Sequence, residues 1–205
     1  MSKPLSEMTL EELWELFPIF LTGHQACWAQ WYAEEAGILR EILGPGVILS
    51  HIGSTAIKGI WAKPIIDILI ETDGPALDGA ADVLRRAGYI CMADSGDRVD
   101  FNKGYTPEGF AQRVFHLHLR RMGDNDELYF RDYMNAHPEA AKEYEALKLG
   151  LWKQYEHDRD GYTGQKTAFV AEYTARAKEA LPGRYARPDG EELADIDKTR
   201  KGEPI

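Results

Sequence analysis

The stretch that decides the fold runs from His51 to Glu71 and reads HIGSTAIKGIWAKPIIDILIE. A short apolar strand from Val47 leads into this stretch and ends at its Gly-Ser pair. A second strand follows after an irregular connection and covers Ile65 to Glu71. Two neighbouring strands joined in this way predict one side of a small sheet, and the residues at their ends are the first candidates for a site.

The Gly53-Ser54-Thr55 turn is suited to holding a phosphate. Glycine lets backbone N–H groups approach a ligand closely, and the hydroxyl groups of Ser54 and Thr55 add donors. Lys63, at the start of the second strand, can reach the same phosphate. The alternative interpretation is a plain strand-to-helix connection with a solvated loop lysine.

Asp67 interrupts an otherwise apolar strand. Because an isolated buried carboxylate is costly, it must be paired, hydrogen-bonded, bound to a metal or placed at an open cleft. Glu71 lies on the same face of the strand by two-residue periodicity. The alternative interpretation of Asp67 is a structural acceptor for loop N–H groups.

A later strand, Arg113 to Arg120, places His116, His118 and Arg120 on one face. Two imidazoles at this spacing can ligate a metal or transfer protons, and a polar surface face is the alternative. The strand therefore offers a second set of chemically active side chains.

The remaining pattern predicts an α+β or mixed α/β fold, in which helices precede and follow a strand-rich middle. A capping box at Thr9 to Glu12 begins the first helix, and Thr163 is the predicted N-cap of the last. Further helices are predicted over residues 24–43, 76–87, 125–136, 138–155 and 163–181, and further strands over residues 89–92 and 98–102.

Composition narrows the class of partner. The 205 residues are 44% hydrophobic, and no stretch approaches the roughly eighteen uninterrupted apolar residues that a membrane span requires. The net charge of −10 argues against non-specific binding to nucleic acids or anionic membranes but leaves small phosphate ligands open. The N-terminus lacks the order of a secretory signal, which predicts a cytoplasmic protein. Cys27 and Cys91 show no zinc-type spacing and are predicted to be reduced and buried.

Several motifs in one order resemble the GrpB-like family (the UPF0157 type), which is grouped with nucleotidyltransferase-like proteins. The resemblance covers roughly residues 28–180. It implies a polymerase-β-like nucleotidyltransferase fold, a small mixed sheet flanked by N- and C-terminal helices, with one domain over residues 1–181 and a polar, loosely attached extension over residues 182–205. It is carried by HIGSTAIKGIWAKPIIDILIE, by FHLHLR at Phe115–Arg120, by YFRDYMNAHPEAAKEYEALK at Tyr129–Lys148 and by GYTGQKTAFV at Gly161–Val170.

The resemblance also implies a site. Gly53 and Ser54 would hold nucleotide phosphates, and Asp67 would be the first of the carboxylates that bind Mg²⁺ or Mn²⁺ in such enzymes. The usual second carboxylate corresponds to Leu69 in this chain, so Glu71 and His118 are the further metal ligands predicted. A third carboxylate has no clear counterpart, although Asp100 or the two histidines can take its place.

Three functions are therefore considered. The first is a metal-dependent nucleotidyltransferase or phosphoryl-transfer protein with Asp67, His116 and His118 as catalytic residues and a nucleotide at the Gly53-Ser54 turn. The second is a non-catalytic module that binds a nucleotide or small phosphate and has a degenerate metal site. The third is a transition-metal site that uses His116, His118 and Asp67 as two imidazole ligands and one carboxylate ligand. Arg131 is predicted to bind phosphate, or else to pair with a carboxylate and join helix to sheet.

Overall fold

The computed structural model describes residues 3–186. Five strands and six α-helices are found in this range, and short 3₁₀ turns connect some of them. In chain order they are α1 Leu10–Leu16, α2 Cys27–Leu43, β1 Val47–Ile52, β2 Ile65–Thr72, α3 Leu77–Arg86, β3 Ile90–Asp94, β4 Arg98–Thr106, β5 Gly109–Arg121, α4 Asp126–Ala136, α5 Pro138–Trp152 and α6 Arg159–Ala180.

The five strands form one mixed sheet in the order β1-β2-β5-β4-β3. Strands β2 and β5 are parallel neighbours, whereas the other pairs are antiparallel. The parallel register places Asp67 opposite His116 and Leu69 opposite His118. Side chains that are 49 or more residues apart in the chain therefore meet at the centre of the sheet.

The two faces of the sheet differ in chemistry. One face presents Ile66, Ile68 and Ile70 to an apolar core shared with α2 and α3. The opposite face of β2 carries Asp67, Leu69 and Glu71, and Leu69 packs there against residues of α4 and α6. A strand that alternates in this way places its polar groups under the C-terminal helices, which is where a cavity forms. The predicted fold, a mixed sheet flanked by N- and C-terminal helices, is confirmed.

The start of the last helix differs from the prediction. The capping box at Thr9 and Glu12 is confirmed, since each residue's side chain bonds the other's backbone N–H. The prediction that Thr163 begins the last helix is wrong, because α6 begins at Arg159 and Asp158 caps it by accepting a 2.8 Å bond from the Gly161 N–H. The earlier start adds one turn of helix above the sheet.

Two further predictions need correction. Cys27 is half-buried, but Cys91 is exposed because it lies on the edge strand β3. The chain just after residue 181 is not loosely attached, since Tyr185 is only 6% exposed and packs with Ile52 and Tyr129. The rest of the predicted extension, residues 187–205, lies outside the described residues, and the domain boundary stays a prediction. No helix in the described range is long and apolar enough for a membrane crossing.

Candidate functional site

A cavity of about 320 Å³ lies between the polar face of the sheet and the helices α5 and α6. Its floor comes from β2 and β5, its rim from the Gly53 turn, and its roof from the C-terminal helices. The residues that line it are Ile52, Gly53, Ser54, Thr55, Lys63, Ile65, Asp67, His116, His118, Glu127, Tyr144, Lys148, Arg159, Tyr162, Thr163 and Lys166.

The Gly53 turn lies directly against Asp67. Gly53 has φ +69°, and a Cβ atom there would lie 2.9 Å from Asp67 Cγ, so only glycine fits without displacing the carboxylate. Ser54 and Thr55 begin the following 3₁₀ turn and reach the cavity, as predicted for a phosphate-binding turn. The Thr55 hydroxyl also donates to the Ile65 carbonyl at 3.1 Å, so it holds the turn against β2.

His51 lies away from the cavity. Its ring stacks on Tyr32 with centroids 4.8 Å apart, and its Nε2 is 3.0 Å from the Thr55 hydroxyl. Burial lowers the pKa of His51 to about 4, so the ring is neutral and supports the turn from below.

Asp67 lies between two imidazoles. Its Oδ1 is 3.4 Å from His116 Nδ1 and 3.4 Å from His118 Nε2. The other ring nitrogens also have partners, because His116 Nε2 is 2.8 Å from the Tyr105 hydroxyl and His118 Nδ1 is 3.0 Å from Asp100 Oδ1. The result is a continuous chain of polar groups along the floor of the cavity.

Burial and pairing set the charges in this chain. Burial alone would raise the pKa of Asp67, but hydrogen bonds from His116 and His118 hold it well below its usual range. Burial opposes the charge on His118, yet its bonds to Asp100 and Asp67 raise its pKa to about 9. Burial lowers the pKa of His116. At neutral pH Asp67 is ionised, His118 is its charged partner and His116 is neutral.

Four basic side chains, here called the basic cluster, line the cavity: Lys63, Lys148, Arg159 and Lys166. Lys148 donates to the Trp61 carbonyl, and the ammonium groups of Lys63 and Lys166 lie 5.2 Å and 4.3 Å from the centre of the Tyr162 ring. None of the four forms an ion pair with a carboxylate within residues 3–186.

The pKa values of the three lysines in the basic cluster are unusually low. Burial, reinforced by repulsion from the neighbouring cations, lowers the pKa of Lys63 and of Lys148 to about 7. Burial and the charge of Arg159 lower the pKa of Lys166 to about 8, although Asp67 opposes the shift. Cations that repel one another without a paired carboxylate are the arrangement that an anion stabilises.

Among the residues that the structure describes, two cavity-lining residues each have a buried polar atom without a hydrogen-bond partner: the Tyr162 hydroxyl and Glu127 Oε2. Tyr162 is only 1% exposed. Because buried polar groups normally have partners, both residues retain unused hydrogen-bonding capacity beside the cavity.

The structure places two predicted site residues elsewhere. Glu71, expected to share a metal with Asp67, is fully buried and accepts bonds from the Gly123 N–H and the Asn125 amide at 3.2 and 2.8 Å. Arg131, expected to bind phosphate, instead donates to the His51 carbonyl at 2.9 Å and pairs with Asp132 at 2.7 Å. Glu71 holds the loop before α4, and Arg131 joins helix to sheet, which is the alternative considered for it.

The residues present do not fit a magnesium or manganese centre. Such ions need several carboxylate or carbonyl oxygens around one point. Asp67 is flanked by imidazoles, Leu69 is apolar, Glu71 is engaged elsewhere, and Asp100 accepts a 2.6 Å bond from Arg120. Across residues 3–186 no group of three or more His, Cys, Asp or Glu side chains is arranged to hold a metal. This also removes the support for a transition-metal site at His116 and His118.

Sequence reasoning missed most of the roof. The candidate residues named from the sequence do not include Tyr144, Lys148, Arg159 or Lys166. A signal was present in α6, where Arg159, Tyr162, Thr163 and Lys166 are spaced i, i+3, i+4 and i+7 and so share one helix face. The predicted helix start at Thr163 hid this pattern, because it left the first half of the face outside the helix.

Fold and site together define a mixed α/β protein with a basic cavity built on the polar face of a five-stranded sheet. The family model of GrpB protein matches residues 18–176, and the chain belongs to the GrpB protein family.

Individual relatives agree with this assignment. Glutamate-rich protein GrpB of Alkalihalophilus pseudofirmus is 34% identical over 75% of this chain and 92% of its own length. UPF0157 protein PA4798 of Pseudomonas aeruginosa is 38% identical over 73% of this chain, which spans 64% of that relative. Among solved structures, the conserved protein GrpB from Enterococcus faecalis is 28% identical with a TM-score of 0.68 over 78% of this chain and 98% of its own. The Cid1 poly(U) polymerase aligns with a TM-score of 0.45 at 9% identity over 62% of this chain and 40% of its own, too distant to carry an argument.

Proposed function

We propose that this protein binds a small phosphate-bearing ligand of the nucleotide class in the cavity, with its phosphates between the Gly53-Ser54-Thr55 turn and the basic cluster. The observation that carries this proposal is the basic cluster itself. Four cations from the connection before β2, from α5 and from α6 converge on one cavity in a chain whose net charge is −10. Buried cations that repel one another without a paired carboxylate in residues 3–186 are stabilised when an anion binds among them.

The size and lining of the cavity agree with such a ligand. About 320 Å³ lies at the small end of the range for ligand pockets, which suits a compact phosphate-bearing ligand. Tyr144 and Tyr162 supply flat apolar surface, and the unpartnered atoms of Tyr162 and Glu127 offer a donor and an acceptor. A cytoplasmic location, where such metabolites occur, belongs to the same proposal.

Thermal unfolding against a panel of nucleotides, nucleoside monophosphates, pyrophosphate and sulfate tests the proposal. A ligand present at about a hundred times its Kd adds about 2.7 kcal/mol, which raises the Tm of a chain of this size by roughly 5–10 °C. The rise should fall to about half or less in Lys166→Gln and be kept in Lys178→Gln, a matched change on the same helix where Lys178 pairs with Asp126. A panel without any stabilising phosphate compound would remove the proposal.

Phosphoryl or nucleotidyl transfer at the same cavity is the second candidate, and the Asp67–His116 pair favours it. A hydroxyl substrate that replaces the Tyr105 hydroxyl at His116 Nε2 would lose its proton to this neutral imidazole, which Asp67 orients through Nδ1, while the basic cluster neutralises the phosphate that the substrate attacks. This candidate is tested by incubating the protein with nucleoside triphosphates and measuring the pyrophosphate or phosphate that is released. Activity that survives in Asp67→Ala would exclude the proposed role of Asp67.

A further inference from the structure

The polar groups on the floor of the cavity are not arranged as the ligands of a divalent cation. The oxygen of Asp67 that faces the sheet centre, Oδ1, is shared by His116 and His118. Both nitrogens of each ring are already directed at oxygen atoms, so neither histidine presents a free lone pair towards the cavity. A hard cation would have to displace at least one of these rings to gain a second ligand.

The next carboxylates along the sheet are also committed. Asp100 accepts from Arg120 at 2.6 Å, and Glu71 is turned into the loop before α4. Leu69, between Asp67 and Glu71 on the strand, packs with Ile52 and Leu128 in an apolar cluster. The positions around Asp67 where metal ligands would be needed are therefore filled by imidazole, by leucine and by carboxylates that already have cationic or amide partners.

Positive charge is supplied instead from the roof. Lys148 is anchored through the Trp61 carbonyl, and Arg159 approaches the hydroxyl of Tyr105. Lys63 and Lys166 both lie near the ring of Tyr162, whose unpartnered hydroxyl is buried against the cavity. Four basic residues and the charged His118 line the cavity with only two acidic residues, so positive charge is in excess and a multiply charged anion balances it.

On the basis of the proposed function, we infer that the ligand is a di- or triphosphate ester bound as the free anion, with the basic cluster in the place of a divalent metal. A magnesium complex of the same compound carries less negative charge and brings a divalent cation towards the basic cluster. The cavity thus selects against the metal-bound form of its ligand. Nucleotide-binding sites that rely on magnesium have the opposite preference.

Isothermal titration with inorganic pyrophosphate and with ADP tests the inference. Each probe is titrated into the full chain once with EDTA and once with enough magnesium to complex the probe. Sulfate, which binds magnesium only weakly, controls for ionic strength. We expect affinity in EDTA to exceed affinity in magnesium by about tenfold or more, with sulfate unchanged.

Variants connect the effect to the basic cluster. Lys166→Gln should weaken binding of the free anion by roughly 10- to 100-fold, the range expected for a lost hydrogen bond to a charged group, and should reduce the difference between EDTA and magnesium. Lys178→Gln should change neither value. Lys63→Gln serves as a second variant from a different segment, and thermal unfolding of each variant confirms that it is folded.

The outcomes separate the two proposals. Tighter binding in EDTA supports both the inference and the proposed function. Binding that is equal in the two buffers, or tighter with magnesium, overturns the inference and leaves the phosphate-binding function in place. No binding of either probe under either condition overturns the proposed function and the inference with it.

Discussion

Replacement of Gly53 by alanine tests the closest contact in the site, and the chain contains a matched control. Gly53 has φ +69° and ψ −172°, and Gly44, after α2, has nearly the same backbone conformation, φ +75° and ψ −167°. This region is essentially restricted to glycine, so alanine costs about 1–3 kcal/mol at either position. The effect of alanine on the unfolded chain is the same in both and cancels in the comparison.

The surroundings of the two glycines differ. A Cβ atom at Gly44 meets nothing within 4 Å, whereas one at Gly53 lies 2.9 Å from Asp67 Cγ and 3.0 Å from Asp67 Cβ and overlaps its Oδ2. His116 and His118 hold the carboxylate in place, so it cannot move without losing its partners. Such overpacking costs a further ~1–3 kcal/mol. We expect Gly53→Ala to lose about 2–6 kcal/mol in total and Gly44→Ala only about 1–3 kcal/mol.

Guanidinium unfolding measures both losses, with the m-value as the check that unfolding remains comparable. The contact is isolated by repeating Gly53→Ala in an Asp67→Ala background, which removes Oδ2 and Cγ and leaves only the Cβ contact at 3.0 Å. The extra loss at Gly53 should largely disappear there. Equal losses at the two glycines, or an unchanged loss in the Asp67→Ala background, would refute the reasoning.

Three further outcomes are expected. Affinity for sulfate, which stays a dianion between about pH 6 and about pH 9, should fall as pH rises over this range. The reason is that Lys63 and Lys148, with pKa values of about 7, and Lys166, with a pKa of about 8, lose the protons that attract the anion. An affinity that does not change with pH would contradict this prediction. Tyr162→Phe should leave the Tm of the free protein nearly unchanged and weaken ligand binding about two- to tenfold, since its hydroxyl bonds no other group in residues 3–186; a large fall in Tm would show a structural role instead. Glu71→Ala should cost about 1–3 kcal/mol in chemical unfolding, because the buried Asn125 amide and the Gly123 N–H each lose an acceptor, while Glu71→Gln retains an acceptor and costs less; lost ligand affinity in folded Glu71→Gln would place Glu71 in the site after all.

Much of the fold was predictable because its signals are local. The capping box at Thr9, the Gly-Pro-Gly stop after α2 and the apolar run of β2 each depend on residues close together in the chain. The start of α6 was predicted wrongly because Asp158, and not Thr163, is the capping residue. Cys91 was predicted to be buried because its neighbours in the sequence are apolar, but it is exposed on an edge strand. The register of β2 against β5 could not be predicted from local patterns, because it depends on contacts between residues that are 49 positions apart in the chain.

For the site, the sequence by itself determined the chemistry of the floor: a glycine turn, a carboxylate in an apolar strand and two histidines on one strand face are all visible as local patterns. Tertiary structure alone decided the partners of those groups. Glu71 and Arg131 have the right chemistry but point into other contacts, whereas Lys148, Arg159 and Lys166 are typical helix-surface residues until α5 and α6 fold over the sheet. The physical reason is that the function of a charged side chain depends on what neutralises it, and the neutralising groups here come from segments far apart in the chain.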